Sequence, residues 1–250
     1  MKIVVIIPSR YGSTRFAGKP LALILGKPMI QWVYERASGA VHVDQVVVAT
    51  DDMRIVSVVD GFGGRAILTA AENRSGTDRV AEAAEKLNLS AADIVVNIQG
   101  DQPCIHPICI QEVTAPLIEN SDIQMSTLAF KIIDPEEITN PKDVKVAFDA
   151  IGNALYFSRA AIPFARDAAT VFDTYKHLGI YAYTRRFLDI FRNLPDGRLE
   201  NIEKLEQLRA MEFGYRIKVI VTEHDSPEVD IPEDIHRIQA QRLYWSNPGL

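Results

Sequence analysis

The sequence alternates short, continuously apolar runs with segments of helical periodicity, and this alternation restricts the fold more than any other feature. The first run, IVVIIP at residues 3–8, is rich in β-branched residues, as expected for a strand that is covered on both faces. Further strand-like runs follow, at 43–52, 65–70 and 93–103. Helical patterns lie between the runs, at 26–40, 55–59 and 75–90. Such alternation predicts right-handed crossovers and an α/β fold, a mostly parallel twisted sheet with helices on both faces.

The second half of the chain has a different pattern, in which strand-like runs are joined by short links. These runs lie at 122–132, 143–159 and 175–186, and DAIGNA at 149–154 predicts a hairpin turn. The stretch 162–175 predicts an exposed excursion. One helix is expected over 200–214, with Gly214 at its end, and a terminal helix has Pro232 in its first turn. We therefore expect an antiparallel insertion, built on the same sheet, that forms a dimer interface.

Composition and charge exclude several classes of protein. A net charge of −6 argues against a general binder of nucleic acid or of anionic membranes, which requires a basic surface. Cys104 and Cys109 are too few for a disulfide framework and lack neighbouring zinc ligands, so we expect buried thiols in a reducing compartment. The apolar run at the N-terminus ends at Pro8, and no segment approaches a membrane-spanning length. The prediction is a soluble, cytoplasmic protein without a membrane partner.

The loop after the first strand concentrates positive charge in an acidic chain. Its cations are Arg10, Arg15 and Lys19, and they are interleaved with the small residues Gly12, Ser13 and Gly18. A loop at the carboxyl end of a strand in an open α/β sheet lies where ligands bind, and small residues let backbone N–H groups approach an anion. The spacing matches neither the Walker A pattern nor the dinucleotide fingerprint. The residue types favour binding of several phosphates over a solvated connection.

The same loop carries a resemblance to a known family. PSRYGSTRFAGKPL at 8–21 resembles the signature of sugar-activating nucleotidyltransferases, most closely that of the 3-deoxy-manno-octulosonate (Kdo) cytidylyltransferase family. Further motifs of that family follow in the same order: VVVATDD, SGTDRVAE, VVNIQGDQP, VKVAFD, ALYFSRAAIPF, KHLGIYAY, LEQLRAM and VDIPEDI. The resemblance covers nearly the whole chain. The sequence departs from the family pattern at Ala17, Gln102 and Ile231, where proline, glutamate and threonine are usual.

The resemblance implies both a fold and a reaction. The fold is nucleotidyltransferase-like, of the nucleotide-diphospho-sugar transferase type, and forms a single domain over 1–250. Its parts would be a nucleotide-binding part at 1–120, a sugar-binding and dimerisation part at 121–225, and a metal ligand with the C-terminal helix at 226–250. The reaction would join CTP and Kdo to give CMP-Kdo and pyrophosphate for lipopolysaccharide biosynthesis. The implied partners are CTP, an acidic eight-carbon sugar and a second copy of the chain, with no nucleic acid.

The nucleotide and metal residues follow from matching positions. The resemblance assigns nucleotide binding to Pro8, Arg10, Gly12, Ser13, Arg15, Lys19, Ser75 and Gly76, and catalysis to Lys19, Arg15, Arg10 and Asp101. Spacing alone favours a turn-forming role for Asp101 and an N-cap role for Asp230. The resemblance instead makes these two aspartates ligands of Mg²⁺, a cation that prefers carboxylate and phosphate oxygens. Asp225 and Asp234 do not match, and we expect a surface role and a first-turn helix role.

The acceptor residues are also implied by the resemblance, because each of them taken alone indicates a structural role. The family's sugar-binding positions fall on Gln99, His177, Tyr181, Glu206 and Gln207. We expect these residues to position the sugar rather than to transfer protons. Arg159 is a candidate for binding the sugar carboxylate or for fixing a lid over the site.

Three other functions fit parts of the sequence. Gln102, with the motifs around KHLGIYAYTRRF and LEQLRAMEFG, also resembles a branch that acts on the 8-amino analogue of the same sugar. A cytidylyltransferase for another acidic sugar belongs to the same fold class. From a different class, the chain could be a non-catalytic nucleotide sensor, against which the intact set of cations and aspartates speaks.

Overall fold

The structure, a computed structural model, describes residues 1–12 and 16–241 of the chain. In the first half, the strands are β1 (Ile3–Ser9), β2 (Leu23–Ile24), β3 (Lys27–Pro28), β4 (Gln45–Thr50), β5 (Ala66–Leu68) and β6 (Ile94–Ile98). The helices are a 3₁₀ turn at Lys19–Leu21, α1 (Met29–Ser38), α2 (Met53–Gly61), α3 (Gly76–Lys86) and α4 (Pro107–Glu119). The predicted alternation of strands and helices is confirmed for this half.

The second half adds strands and several short helices. The strands are β7 (Met125–Lys131), β8 (Lys145–Phe148), β9 (Ala154–Ser158), β10 (Tyr175–Thr184) and β11 (Lys218–Thr222). The helices are α5 (Glu136–Thr139), α6 (Arg185–Asn193), α7 (Arg198–Glu203), α8 (Gln207–Glu212) and α9 (Pro232–Ala240). The strands β8 and β9 form the predicted hairpin across 149–153, and Pro232 occupies the first turn of α9 as expected.

The main sheet has the strand order β11-β7-β10-β6-β1-β4-β5. Pairs in the β1, β4, β5 and β6 group are parallel, and so is the β7–β11 pair. β10 runs antiparallel between β6 and β7, and the β8–β9 hairpin joins the sheet through β10. The antiparallel segment is therefore part of the central sheet. A bulge in β10 between Leu178 and Tyr181 changes its register against β7.

The continuous apolar character of β1 has a direct structural cause. Ile3, Val5 and Ile7 pack into one core cluster together with residues of α1, α2 and α4. Val4 and Ile6 point to the other face and pack with residues of α3 and α6. Since both faces of β1 are covered over residues 3–7, a polar side chain at any of these positions would be buried and would need a hydrogen-bond partner.

A conservative core substitution tests this account of the central strand. Ile6→Val removes one methyl group from a fully buried position that packs between β4 and α3. We expect the free energy of unfolding to fall by ~0.5–1.5 kcal/mol, measured by urea denaturation. An unchanged denaturation midpoint would contradict tight packing at this position.

One helix prediction is wrong in an informative way. The stretch 200–214 is not a single helix, because α7 ends where Lys204 adopts a left-handed conformation with φ 56°. α8 begins three residues later, at Gln207. Gly214 does lie just beyond α8, with φ 82°, as expected for a helix C-terminus. The interruption places Glu206 at the N-cap of α8, where its carboxylate accepts a hydrogen bond from Thr77 of α3.

The structure bears on two earlier predictions, that of buried thiols and that of segments shorter than a membrane span. Cys104 and Cys109 are buried and unbridged, as predicted, and burial raises the pKa of each thiol to about 12. Within residues 1–12 and 16–241, the helices are all too short or too polar to cross a bilayer.

Candidate functional site

A large cavity opens beside the carboxyl end of β6 and along β10. Its volume is about 1130 Å³, which exceeds the size of most small-ligand pockets. The predicted residues that line it are Gly76, Gln99, Asp101, Arg159, His177, Tyr181, Glu206, Gln207 and Asp230. The structure thus brings all the predicted sugar-binding positions and both predicted metal ligands to one cavity, although they lie far apart in sequence.

The cationic loop meets this cavity through Lys19. The 3₁₀ turn at Lys19–Leu21 follows Gly18, whose φ of 71° sets the direction of the chain. The Lys19 ammonium lies 2.5 Å from Asp101 Oδ2 and 3.7 Å from Asp230 Oδ1. A cation from the first loop therefore sits between the two aspartates expected to bind Mg²⁺.

The turn that carries Asp101 is packed against the end of β1. A Cβ atom on Gly100 would lie 2.5 Å from Ser9 Oγ and 3.1 Å from the Pro8 carbonyl oxygen. Only glycine permits so close an approach. This contact holds Asp101 at the same edge of the sheet as the first loop.

The nucleotide candidates cluster next to the cavity at the start of α3. The Arg10 guanidinium donates to the carbonyl oxygens of Asn73 and Ser75. A Cβ on Gly76 would lie 3.6 Å from Pro8 Cγ. Ser75 is the N-cap of α3, since its Oγ accepts from the Asp78 N–H. Arg10 and Ser75 thus lie in contact at the start of α3, where Gly76 lines the cavity and the buried Pro8 packs beside Gly76.

The three remaining loop predictions have different outcomes. Gly12 is exposed, and among the described residues no atom lies within 4 Å of the place that its Cβ would occupy, so a ligand could approach its backbone. The predictions for Ser13 and Arg15 fall outside the described residues.

The aspartate pair fits a hard divalent cation. Asp101 Oδ1 is buried and has no hydrogen-bond partner among residues 1–12 and 16–241, which leaves a lone pair for a ligand. The N-cap role that spacing alone favours for Asp230 is wrong, because Ile231 is the N-cap of α9. The Asp230 N–H instead donates to the carboxylate of Asp234 in the first turn. Within the described ranges, no cluster of three or more His, Cys, Asp or Glu side chains has metal-binding geometry. Mg²⁺ would thus use two carboxylates and complete its shell with substrate oxygens and water.

A third carboxylate, Glu228, also faces the cavity near this pair. The pKa of Glu228 is raised to about 8, first by desolvation of its carboxyl group and then by the negative charges of Asp101 and Asp230. Sequence reasoning missed this residue. The available signal was its position two residues before Asp230 in an extended segment, where alternate side chains share one side.

The aromatic wall of the cavity lies on β10 and stays uncharged. His177 Nε2 is 2.9 Å from Thr127 Oγ1, and burial lowers the pKa of the imidazole to about 3. Burial likewise raises the pKa of the Tyr181 phenol. Both groups are therefore neutral near pH 7 and can donate or accept hydrogen bonds, and their role in positioning a sugar stays a prediction.

Glu206 and Gln207 enter the cavity from the break between α7 and α8. Glu206 accepts a hydrogen bond of 2.6 Å from Thr77 Oγ1, and burial raises the pKa of its carboxyl group. Gln207 is only 4% exposed, and its Nε2 has no partner within the described part of the chain. An amide donor in the cavity wall is thus available to a hydroxyl-bearing ligand.

Arg159 is held by main-chain carbonyls. Its guanidinium donates to Glu203 O at 2.8 Å and to Pro141 O at 2.9 Å. Two roles were predicted for Arg159, binding the sugar carboxylate and fixing a lid. These contacts favour the second, with the covering segment at 134–143, which contains Pro141, in the place of the lid.

Two lysines in the cavity wall were not predicted. Lys142 Nζ lies 3.0 Å from Asp234 and 3.9 Å from Asp230. Lys176 lies 2.6 Å from Glu137 and 3.0 Å from Asp225, so Asp225 belongs to the cavity wall and the expected surface role is wrong. No sequence motif marks these lysines, because their roles depend on the covering segment at 134–143.

The chain is similar to known proteins over most of its length. The cytidylyltransferase family model matches residues 4–219. The 3-deoxy-manno-octulosonate cytidylyltransferase of Desulfosudis oleivorans is 67% identical over 96% of this chain and 97% of its own length. The 8-amino-3,8-dideoxy-manno-octulosonate cytidylyltransferase of Shewanella piezotolerans is 55% identical over 96% of this chain and 98% of its own.

A solved structure is similar over almost the same extent. It is a CMP:2-keto-3-deoxy-manno-octonic acid synthetase in complex with CTP, and it is 41% identical with a TM-score of 0.91. The match covers 97% of this chain and 99% of that one. With the cavity, its paired aspartates and a similarity that spans nearly the whole sequence, the chain belongs to the cytidylyltransferase family, within the group of 3-deoxy-manno-octulosonate cytidylyltransferases.

Proposed function

We propose that the chain transfers CMP from CTP to Kdo and releases pyrophosphate. The observation that carries this proposal is the contact of Lys19 with Asp101 and Asp230 at the edge of the polar cavity. This contact brings a cation suited to phosphates next to two carboxylates suited to a divalent cation. Both lie at the edge of a cavity whose hydrogen-bonding groups suit hydroxyls. The name of the Desulfosudis oleivorans relative, at 67% identity, supports the same substrates.

The nucleotide end of the site offers charge and backbone donors. Arg10 and Lys19 neutralise the triphosphate, and the N-terminus of α3 at Gly76 presents N–H groups next to Pro8. Helix N-termini and nearby cations stabilise anions without a covalent bond. Lys19 must leave Asp101 in part when a phosphate oxygen and a metal ion compete for these two groups.

The acceptor end offers neutral and acidic hydrogen-bonding groups. His177, Tyr181, Gln99 and Gln207 can bind hydroxyl groups, and Glu206 adds an acceptor that Thr77 orients. A sugar with many hydroxyls requires such a wall, because each of its donors and acceptors must replace a bond to water.

The reaction needs positioning and charge neutralisation. The anomeric hydroxyl oxygen attacks the α-phosphorus in line, the bond from that phosphorus to the bridging oxygen breaks, pyrophosphate leaves, and the hydroxyl proton passes to solvent. Asp101 and Asp230 would hold Mg²⁺, which would supply a Lewis acid for the oxygens of the α-phosphate. Lys19 and Arg10 offset the negative charge that moves onto the leaving pyrophosphate.

Two features of the setting complete the proposal. We propose a homodimer, in which a second copy would cover the exposed stretch between β9 and β10, where Phe164 is 87% and Val171 is 98% exposed. The unbridged cysteines support a cytoplasmic location, where the product would supply lipopolysaccharide biosynthesis. Light scattering of the purified chain at micromolar concentration tests the dimer, which a monomer mass would refute.

A coupled assay for pyrophosphate tests the proposed reaction. The chain is incubated with Kdo, Mg²⁺ and each of CTP, UTP, ATP and GTP, and the nucleotide product is identified by mass. We expect rapid pyrophosphate release with CTP only in the presence of the sugar. Binding of CTP without release, for Kdo and for other acidic sugars, would favour the nucleotide sensor.

A further inference from the structure

The two aspartates expected to bind Mg²⁺ lie in two loops that are distant in sequence. Asp101 belongs to the loop at 99–106 between β6 and α4, which we call the Asp101 loop. Asp230 belongs to the Asp230 loop, residues 223–230, which follows β11 and lies outside any helix or strand. A cation shared by both carboxylates requires a fixed distance between the two loops, because Mg²⁺ tolerates little variation in its coordination geometry.

The side chains of His106 and His224 join these two loops. Their ring centroids are 4.1 Å apart, and the ring planes are inclined to each other by only 6°. His106 is the last residue of the Asp101 loop, and His224 is the second residue of the Asp230 loop. The stack is therefore a direct side-chain contact between the segment that carries one expected metal ligand and the segment that carries the other.

A hydrogen bond fixes the His106 ring within the stack. Its Nδ1 accepts from the Ile108 N–H at 3.2 Å and so caps the N-terminus of α4. The pKa of His106 is lowered, first by desolvation and then by the neighbouring His224 and Arg36. The ring is therefore neutral near pH 7 and gives the second imidazole a support that is anchored to a helix.

The backbone between the stack and each aspartate is short and hydrogen-bonded. In the Asp101 loop, the Ile105 N–H donates to the Gln102 carbonyl oxygen at 3.2 Å, which closes the turn that leads to the stack. In the Asp230 loop, the Val229 N–H donates to the Asp101 carbonyl oxygen at 3.0 Å. The two loops are thus joined by the ring stack at one end and by a main-chain hydrogen bond beside the aspartates.

Another anchor of the Asp230 loop leads to the sheet instead. Asp225 pairs with Lys176 of β10 at 3.0 Å. This ion pair fixes the loop relative to the cavity wall, whereas the stack fixes it relative to the Asp101 loop. The distance between the two aspartates therefore depends more directly on the stack than on the ion pair.

We propose that His106 and His224 are positioning residues, whose stacked rings set the separation of Asp101 and Asp230 and thereby the affinity of the site for Mg²⁺. The inference rests on the proposed function, since it concerns the metal site of that reaction. Neither ring lines the cavity, so both act through the loops. Groups behind metal ligands commonly orient them. Without the stack, cation binding would itself have to order the loops, and the affinity would fall.

A titration of Mg²⁺ into the CTP-bound protein tests the pair without turnover, because the acceptor sugar is left out. His224→Ala removes one ring, and the Kd for Mg²⁺ measured by calorimetry should rise ~3–10-fold, since an aromatic pair contributes about this factor. His224→Phe keeps a flat aromatic ring and should restore most of the affinity. In the pyrophosphate assay, the Mg²⁺ concentration for half-maximal rate should shift likewise, while kcat at saturating Mg²⁺ and the KM for Kdo stay within about twofold.

His106→Asn tests the other half of the stack. Asparagine keeps an acceptor for the Ile108 N–H, so α4 stays capped while the ring is lost. The affinity of this variant for Mg²⁺ should fall as far as that of His224→Ala. The double variant should fall no further, because the two rings act through one contact. Additive losses would show two independent roles and would overturn the proposal.

His236→Ala is the matched control, because His236 is an exposed residue of α9 that does not line the cavity. It should keep the wild-type affinity for Mg²⁺. Thermal unfolding followed by circular dichroism monitors the fold of every variant. If His224→Ala unfolded at a lower temperature but bound Mg²⁺ as the wild type does, the stack would have a structural role alone and the inference would be wrong.

The titration also separates this inference from the proposed function. A wild-type chain that binds Mg²⁺ with CTP but releases no pyrophosphate with Kdo would refute the proposed function, while the Kd values of the variants would still decide the role of the two histidines. A wild-type chain that binds CTP but no Mg²⁺ would overturn the inference.

Discussion

Asp101→Asn is expected to lower kcat about a thousandfold while the fold remains intact, because the variant loses a charged oxygen at the metal and keeps its shape. Asp101 has a buried, unpartnered oxygen and lies 2.5 Å from Lys19, so a neutral amide would weaken both the cation site and the organisation of the loop. Steady-state kinetics at saturating CTP and Kdo measure the effect, and thermal unfolding followed by circular dichroism verifies the fold.

Asp60→Asn is the matched control, since Asp60 is an exposed residue of α2 far from the cavity wall. It should keep wild-type kcat. Calorimetric titration with Mg²⁺ in the presence of CTP adds a second readout, in which Asp101→Asn should bind the metal more weakly. If Asp101→Asn retained near-normal turnover and metal affinity, Asp101 would not be a ligand.

Lys19→Met should lower kcat/KM for CTP about a hundredfold, with a much smaller effect on the KM for Kdo. The ammonium group is the described cation nearest to both aspartates, and it would supply a charge-assisted hydrogen bond to the triphosphate. Methionine keeps the apolar stem of the side chain, so the loss isolates the charge. A two-substrate titration at fixed Mg²⁺ measures the separate constants.

Lys27→Met provides the comparison, because Lys27 is a partly buried lysine on β3 that pairs with Glu35 outside the cavity. Its kinetics should match those of the unmodified chain. A Lys19→Met variant that lost affinity for Kdo while binding CTP normally would move Lys19 from the phosphate end to the acceptor end.

Most of the fold could be predicted from the sequence because its central strands are buried on both faces. In β1, Val4 and Ile6 face one core cluster while Val5 and Ile7 face the other, so an uninterrupted apolar run is the only pattern that fits. The hairpin at 149–153 was also predictable from its turn residues. The position of β10 inside the main sheet was not, since local periodicity does not specify strand order.

The site residues divide in a similar way. Asp101 and Lys19 belong to motifs whose positions at strand ends indicated one edge of the sheet, and the structure places them in contact. The pattern over 200–214 predicts one long helix with Glu206 and Gln207 in its interior turns. The break at Lys204 is not predictable from this pattern, because it depends on a left-handed backbone conformation that lysine rarely adopts. Thr77 reaches the cavity only through the tertiary contact of α3 with Glu206, which no local spacing encodes.

The most direct test of the account is a crystal structure of the chain with CTP and Mg²⁺. We expect the triphosphate beside the first loop, Lys19 Nζ on a phosphate oxygen, and the metal ion ~2.0–2.1 Å from oxygens of Asp101 and Asp230. A nucleotide bound away from these residues, with Lys19 still paired to Asp101, would contradict the account.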